Sequence, residues 1–211
     1  MTDLPRPRFA RMYLRAARTA EARGATEHRR RLLEGLQGTA LELGAGHGLN
    51  FPHYPSTVTE VIAVEPESTL RAQAERAAAT APVPVTVVAG TAEALPLGDG
   101  DADAVVASLV LCSVPDQAVA LAEARRVLRP GGELRFYEHV LARCQPRRAI
   151  LQFADHSGLW PKIAGGCHPA RDTGAAIEAA GFTIERCERF LFSPSRLEPS
   201  VPHILGVARR V

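Results

Sequence analysis

Short apolar runs alternate with helix-patterned segments along this chain, and no other feature constrains its fold as tightly. Thr39–Leu43, Val58–Val64, Val83–Val88, Ala104–Leu111 and Glu133–Tyr137 each read as a buried strand bounded by turn residues. Helical patterns follow at Glu67–Thr80 and Gln117–Leu128, and Arg129-Pro130-Gly131-Gly132 stops the second. A helical or mixed segment spans Arg147–Trp160, and a helix covers Arg171–Ala180 up to Gly181. Strands follow at Phe182–Leu191 and His203–Ala208. Such alternation predicts an α/β domain with a largely parallel sheet covered by helices on both faces. Ligands of these sheets bind at the carboxyl ends of the strands, beside the switch point. The residues just after each strand therefore carry the functional question.

With 211 residues the chain makes one domain of ordinary size. Its 46% hydrophobic and 23% charged content excludes disorder and collagen-like structure. The longest apolar stretch, around Val105–Cys112, falls far short of the roughly 20 residues of a transmembrane helix. The N-terminus carries no signal-peptide pattern, so a soluble cytoplasmic protein without a transmembrane segment is expected. Cys112, Cys144, Cys167 and Cys187 form no CxxC pair, which favours reduced thiols. Residues 1–31 carry a net charge of +6 against −4 for the remainder. That arm either holds an anionic partner or is the solvated side of a helix. The stripe Phe9, Met12, Tyr13, Ala16, Ala17, Ala20 has helical spacing and favours the second reading.

After the first strand stands Glu42-Leu43-Gly44-Ala45-Gly46-His47-Gly48. Glycines at Gly44 and Gly46 let a backbone turn sharply and approach a ligand with no Cβ in the way. The third glycine comes one residue too early for a dinucleotide GxGxxG. Glu65 ends the second strand about 20 residues later, where a carboxylate can accept from both ribose hydroxyls. Pro66 and Glu67 beside it also look like a helix start. Together these elements suit a nucleoside ligand without separating NAD from S-adenosylmethionine.

Further on come Gly90-Thr91-Ala92-Glu93-Ala94-Leu95-Pro96, then Asp101–Ser108, then Arg126-Val127-Leu128-Arg129-Pro130-Gly131-Gly132. The whole set, in this order, resembles the class I S-adenosylmethionine-dependent methyltransferases over about residues 36–140. The resemblance implies a Rossmann-like fold with a seven-stranded, mostly parallel sheet whose last strand is antiparallel, and S-adenosyl-L-methionine as cofactor. It implies that Gly44, Ala45, Gly46 and Gly48 hold the methionine portion above Glu42. Glu65 would take the ribose and Pro66 would lie against the adenine, with Thr91, Ala92 and Glu93 at its edge. Ser108 and Leu109 would lie beneath the sulfonium.

Leu109-Val110-Leu111-Cys112-Ser113-Val114, Glu138-His139-Val140, Gly166-Cys167-His168, Arg171-Asp172-Thr173 and Pro202-His203-Ile204 are similar to the methyltransferase-like family 7 group, as are Asn50-Phe51 and Tyr54-Pro55. That group includes thiol S-methyltransferases. The resemblance implies methyl transfer to a small-molecule acceptor, with a thiol leading. N- or O-methylation of a natural product, lipid head group or quinone precursor is the alternative, and a non-catalytic cofactor-binding module is a second. A thiol must first become a thiolate. His139 is the expected base, with His168 second; Arg171 would stabilise an anionic acceptor and Cys112 would line its pocket. Cys112, His139, His156, Cys167 and His168 lack the spacing of a metal site, so no metal is expected. Residues 1–35 read as a helical lid, with Tyr13 facing the cofactor, on a methyltransferase domain of residues 36–211. No motif suits a nucleic-acid acceptor, and the oligomeric state stays open.

Overall fold

The computed structural model describes residues 5–158, 160, 162, 165–195 and 199–211. Helices α1 (Pro7–Glu21) and α2 (Ala25–Leu33) precede β1 (Gly38–Leu43), β2 (Val58–Val64), α3 (Ser68–Ala78), β3 (Val85–Val88) and β4 (Ala102–Ser108). Then come α4 (Gln117–Val127), β5 (Leu128–His139), α5 (Arg147–His156), α6 (Thr173–Ala179), β6 (Phe182–Phe192) and β7 (Val201–Arg210). The strands form one sheet in the order β3-β2-β1-β4-β5-β7-β6. Only β7 runs against its neighbours, β5 and β6. The expected segment Arg147–Trp160 is helical to His156, and residue 159 lies outside the described residues.

Period-two alternation divides the core between the two faces of the sheet. Leu41, Leu43, Val105, Ala107, Leu134 and Phe136 pack with Leu121 and Ala124 of α4 and Ile177 of α6. Ala40, Val61, Ala63, Ala104, Val106 and Tyr137 pack with Leu32 and Leu33 of α2 and Ala74 of α3. Covered on both sides, the central strands can be apolar at nearly every position, which is why they read as runs. Each fully buried Leu, Val or Phe contributes about 1.5–3 kcal/mol. The starts of α4 and α3 are capped: Asp116 accepts from the amides of Ala118 and Val119 at 2.9 and 3.1 Å, and Glu67 from that of Leu70 at 2.8 Å. Arg135 reaches back to the carbonyl of Glu34 at 2.9 Å, satisfying the end of α2.

Beyond shifts of about two residues at the ends of β3, α6 and β7, the structure departs from the sequence expectations in three places. Strand β4 stops at Ser108, three residues early, because Leu109 adopts φ 58° and turns the chain. Strand β5 begins early, at Leu128, which pairs with Ala102 before a register shift. In α1 the buried positions are Ala10 and Ala17, with Tyr13 and Leu14 half-buried between them; Met12 and Ala16 are exposed. The stripe is rotated because α1 packs beside α2 and α3 instead of flat on the sheet. Among the described residues no helix is long and apolar enough to cross a membrane.

Candidate active site

The carboxyl ends of β1, β2, β4 and β5 gather the chemistry-bearing residues along one edge of the sheet. After β1 the chain turns through Gly44 and Gly46 with φ 55° and 60°. A Cβ at Gly44 would lie 2.6 Å from Val110, and one at Gly46 would lie 2.9 Å from the Tyr13 hydroxyl. Glycine is needed at both for conformation and for space. Ala45 and Gly48 complete the loop, and the Ala45 amide donates to the Val64 carbonyl at 3.0 Å. Tyr13 thus lies over the loop from α1, its ring edge-on to His47 at 5.7 Å.

Glu42 lies buried beneath this loop, accepting from the Asn50 amide at 2.9 Å and the Tyr54 hydroxyl at 2.7 Å. Burial pushes its carboxyl up to about 7. Asn50 in turn accepts at 3.0 Å from Arg29, whose guanidinium also donates to Glu21 at 3.0 Å and to Ser108 Oγ at 3.1 Å. Arg29 is only 7% exposed. Read as one more arginine on a solvated face, it is instead the cation that links α1, the glycine loop and the end of β4. Its spacing from Leu32 and Leu33, three and four residues on, was the available signal.

Glu65 is buried after β2, and its two oxygens accept from the amides of Gly46 at 2.7 Å and Glu67 at 2.9 Å. Burial pushes it up to about 7. Each oxygen keeps a second lone pair. Pro66 beside it is half-buried, and its carbonyl accepts from Arg71 at 3.4 Å. After β3, Thr91 bridges to Ala94, with Ala92 buried between. Glu93 Oε1 is buried without a hydrogen-bond partner, as is His47 Nδ1. Such orphans are rare in native folds and call for an explanation.

After β4, Leu109 donates its amide to the Tyr137 carbonyl at 2.7 Å. A non-glycine residue in the left-handed region costs energy that its surroundings must supply. Glu138 supplies part of it: its fully buried carboxylate accepts from the amides of Val110, Leu111 and Cys112 at 3.0, 2.9 and 3.2 Å. Burial raises the Glu138 carboxyl. The signal for this residue was an acid placed directly after the aromatic pair Phe136-Tyr137 of β5.

Past Glu138, His139 Nδ1 stands 3.7 Å from Cys112 Sγ and 3.5 Å from Cys167 Sγ. The two sulfurs and a His139 nitrogen lie within 4.8 Å of one another. The spacing argument against such a gathering fails here, because pairing of β4 with β5 joins residues 27 apart in sequence. The Cys112 thiol, donating to Cys167, is pushed well up by that contact and by burial, while Cys167 is lowered. Burial works to lower His139, and its contact with Cys112 and the charges of Cys112 and Glu138 outweigh it, leaving it raised. His203 packs on His139 with rings 4.4 Å apart, and burial holds it down at about 3.

Two expected site residues are engaged elsewhere. His168 Nδ1 meets Asp155 at 2.8 Å, so its ring is held by α5 rather than by the cysteine pair. Arg171 donates to the carbonyls of Leu111 and Val114 at 2.8 Å each, clasping the loop after β4. His156 donates from Nδ1 to the Gln152 carbonyl of its own helix, at 2.8 Å, and is exposed.

Residues 41–136, which hold the glycine loop, Glu65 and the end of β4, match a family model described as "Methyltransferase domain". The mouse thiol S-methyltransferase TMT1B is 36% identical over 208 residues, covering 93% of this chain and 84% of that protein. The chain is an S-adenosylmethionine-dependent methyltransferase of that family. Human thiol S-methyltransferase TMT1A is 33% identical over 173 residues, covering 80% of the methyltransferase and 69% of its relative. A solved SAM-dependent methyltransferase from Thermotoga maritima, described as a possible histamine N-methyltransferase, aligns with TM-score 0.70 at 23% identity and 97% coverage of both chains. That last likeness concerns the fold.

Proposed function

We propose that this methyltransferase transfers the methyl group of S-adenosylmethionine to the sulfur of a small thiol. The observation that carries the acceptor is the reach of the likeness to thiol S-methyltransferases. It extends over 93% of the chain, well beyond the donor-side residues 41–136, and so spans the segment from His139 to Thr173 on the acceptor side.

The cleft residues fit the donor. Gly44 and Gly46 adopt left-handed turns that bring the loop backbone close to where the methionine portion would lie, and Arg29 offers a guanidinium to its carboxylate. Glu65 keeps lone pairs for the ribose hydroxyls. The unpartnered Glu93 Oε1 matches the exocyclic amine of an adenine edge, with Thr91 and Ala92 alongside and Pro66 against the ring. Ser108 and Leu109 would support the sulfonium end, with Tyr13 closing the cleft from α1 as part of a lid. When bound, the donor supplies an activated methyl group on a positively charged sulfur.

On the acceptor side the chain must remove a proton and aim a sulfur. An ordinary thiol has a pKa of about 8.5 and is only a few per cent ionised at neutral pH. Ionisation falls to the corner where His139 meets Cys112 and Cys167, while Glu138 holds the loop carrying Leu109 and Cys112 in register. Alignment of the two sulfurs for in-line displacement supplies the rest. Release of S-adenosylhomocysteine, measured over alkyl, aryl and sulfide thiols beside matched amines and alcohols, tests this reading. Turnover confined to the thiols is expected, with loss of at least tenfold in kcat for His139→Ala; turnover of amines or alcohols alone would overturn it.

A further inference from the structure

We propose that Cys112, His139 and Cys167 form a zinc site with an open fourth position that takes the acceptor thiol as its thiolate. This rests on the thiol reading above and goes beyond it.

A tetrahedral zinc with Zn–S about 2.3 Å and Zn–N about 2.0–2.1 Å sets each sulfur about 3.6 Å from the nitrogen. The His139 nitrogen stands 3.7 and 3.5 Å from the two sulfurs, so both edges already have the length the ion requires. Two thiolates and one imidazole are also a donor set that selects zinc over magnesium or calcium. Three protein ligands with one vacant position is the form of a catalytic zinc, whereas structural sites use four.

The fold builds this corner from three segments that secure one another. His139 ends β5, paired to His203 of β7. Cys112 sits on the loop whose amides are held by Glu138. The segment carrying Cys167 is tied to that loop by the His168 amide, which donates to the Cys112 carbonyl at 2.8 Å. A Cβ at Gly166 would lie 3.0 Å from the Ser113 carbonyl oxygen, so the two loops meet backbone to backbone. Ligands positioned by such supports do not have to be ordered when the ion binds.

The chemistry balances. A thiol entering the fourth position loses its proton to solvent, as metal-bound thiols do. Two thiolate ligands neutralise the dication, so the bound thiolate retains nucleophilic electron density. Its lone pair forms the new S–C bond as the C–S bond of the sulfonium breaks, and that electron pair returns to the donor sulfur. The products are a thioether, S-adenosylhomocysteine and one proton; the thioether, a weak neutral ligand, leaves the metal.

The test is metal analysis of the full chain, purified without an affinity tag after growth with zinc. About one zinc per chain is expected, retained in the exposed-cysteine control Cys144→Ser and lost in Cys112→Ser and in Cys167→Ser. Calorimetric S-adenosylmethionine binding confirms that each variant is folded. Should either variant fail to fold, cobalt replacement of the unsubstituted chain carries the test: a thiolate-to-cobalt charge-transfer band should appear and shift when an alkyl thiol is added. Metal-free protein that methylates thiols at the full rate would overturn the zinc site and leave the thiol reading standing. Stoichiometric zinc at the cluster without any thiol turnover would overturn the thiol reading, and the open coordination role with it. A Cys112–Cys167 disulfide in protein purified with zinc, found by thiol counting, would also overturn the site.

Discussion

Glu65 holds the amides of Gly46 and Glu67 with one carboxylate, and so ties the glycine loop to the start of α3. Replacement by Ala removes those bonds together with the proposed ribose acceptor. Cofactor affinity should fall by about 1–3 kcal/mol, read by calorimetry. Its environment also sets a pH dependence. Burial raises its carboxyl, helped by the charge of Glu67, and outweighs the lowering by the Glu67 and Gly46 amides and by Arg71, which leaves Glu65 at about 7. Below that value the carboxyl takes up a proton and accepts fewer hydroxyl bonds, so S-adenosylmethionine affinity should weaken as pH falls from 8 to 6. Glu65→Gln should flatten that slope; an unchanged slope would assign it to Glu42, which also stands at about 7. Glu138→Gln breaks the three-amide cradle and releases the strained Leu109 turn. A stability loss of about 1–3 kcal/mol in urea unfolding is expected, with kcat falling more than cofactor affinity.

At the scale of elements, α1 crosses the site like a strap. Its start is tied by the Arg6 amide to Glu67 at 3.0 Å, its middle places Tyr13 on Gly46, and its end offers Glu21 to Arg29 at 3.0 Å. Phe9 fills the space where a side chain at Gly165 would collide. Arg11, Arg15 and Arg18 remain exposed along its outer side. Trypsin should therefore cleave there in the free protein and much more slowly with S-adenosylmethionine present. Equal rates in both conditions would leave α1 as packing alone. Tyr13→Ala should raise the KM for the donor while leaving the KM for the acceptor nearly unchanged.

For the whole molecule, a ligand that binds only the folded state at about 100 times its Kd adds ~2.7 kcal/mol. In a chain of this size each kcal/mol moves the melting temperature by about 2–4 °C. Saturation with S-adenosylmethionine should thus raise Tm by roughly 5–11 °C, and Glu65→Ala should shrink the rise at the same ligand concentration. The same division between local and distant forces explains what was legible beforehand. Strand β2 spans the residues its apolar run announced, and the helix starts at Glu67 and Asp116 were readable, because periodicity and capping act over a few neighbouring residues. The glycine turn and Glu65 were readable for the same reason. The burial of Arg29 was hidden among eight other arginines, since a charge is buried by distant partners, here Glu21, Asn50 and Ser108. Likewise Cys112 and Cys167, 55 residues apart, meet at His139 only because β4 lies beside β5 and the loop before α6 folds back on both. The order of elements and the donor motifs thus belong to the sequence by itself. Which side chains gather with His139 was decided by parallel pairing in the tertiary structure, which brings strand ends together regardless of their separation along the chain.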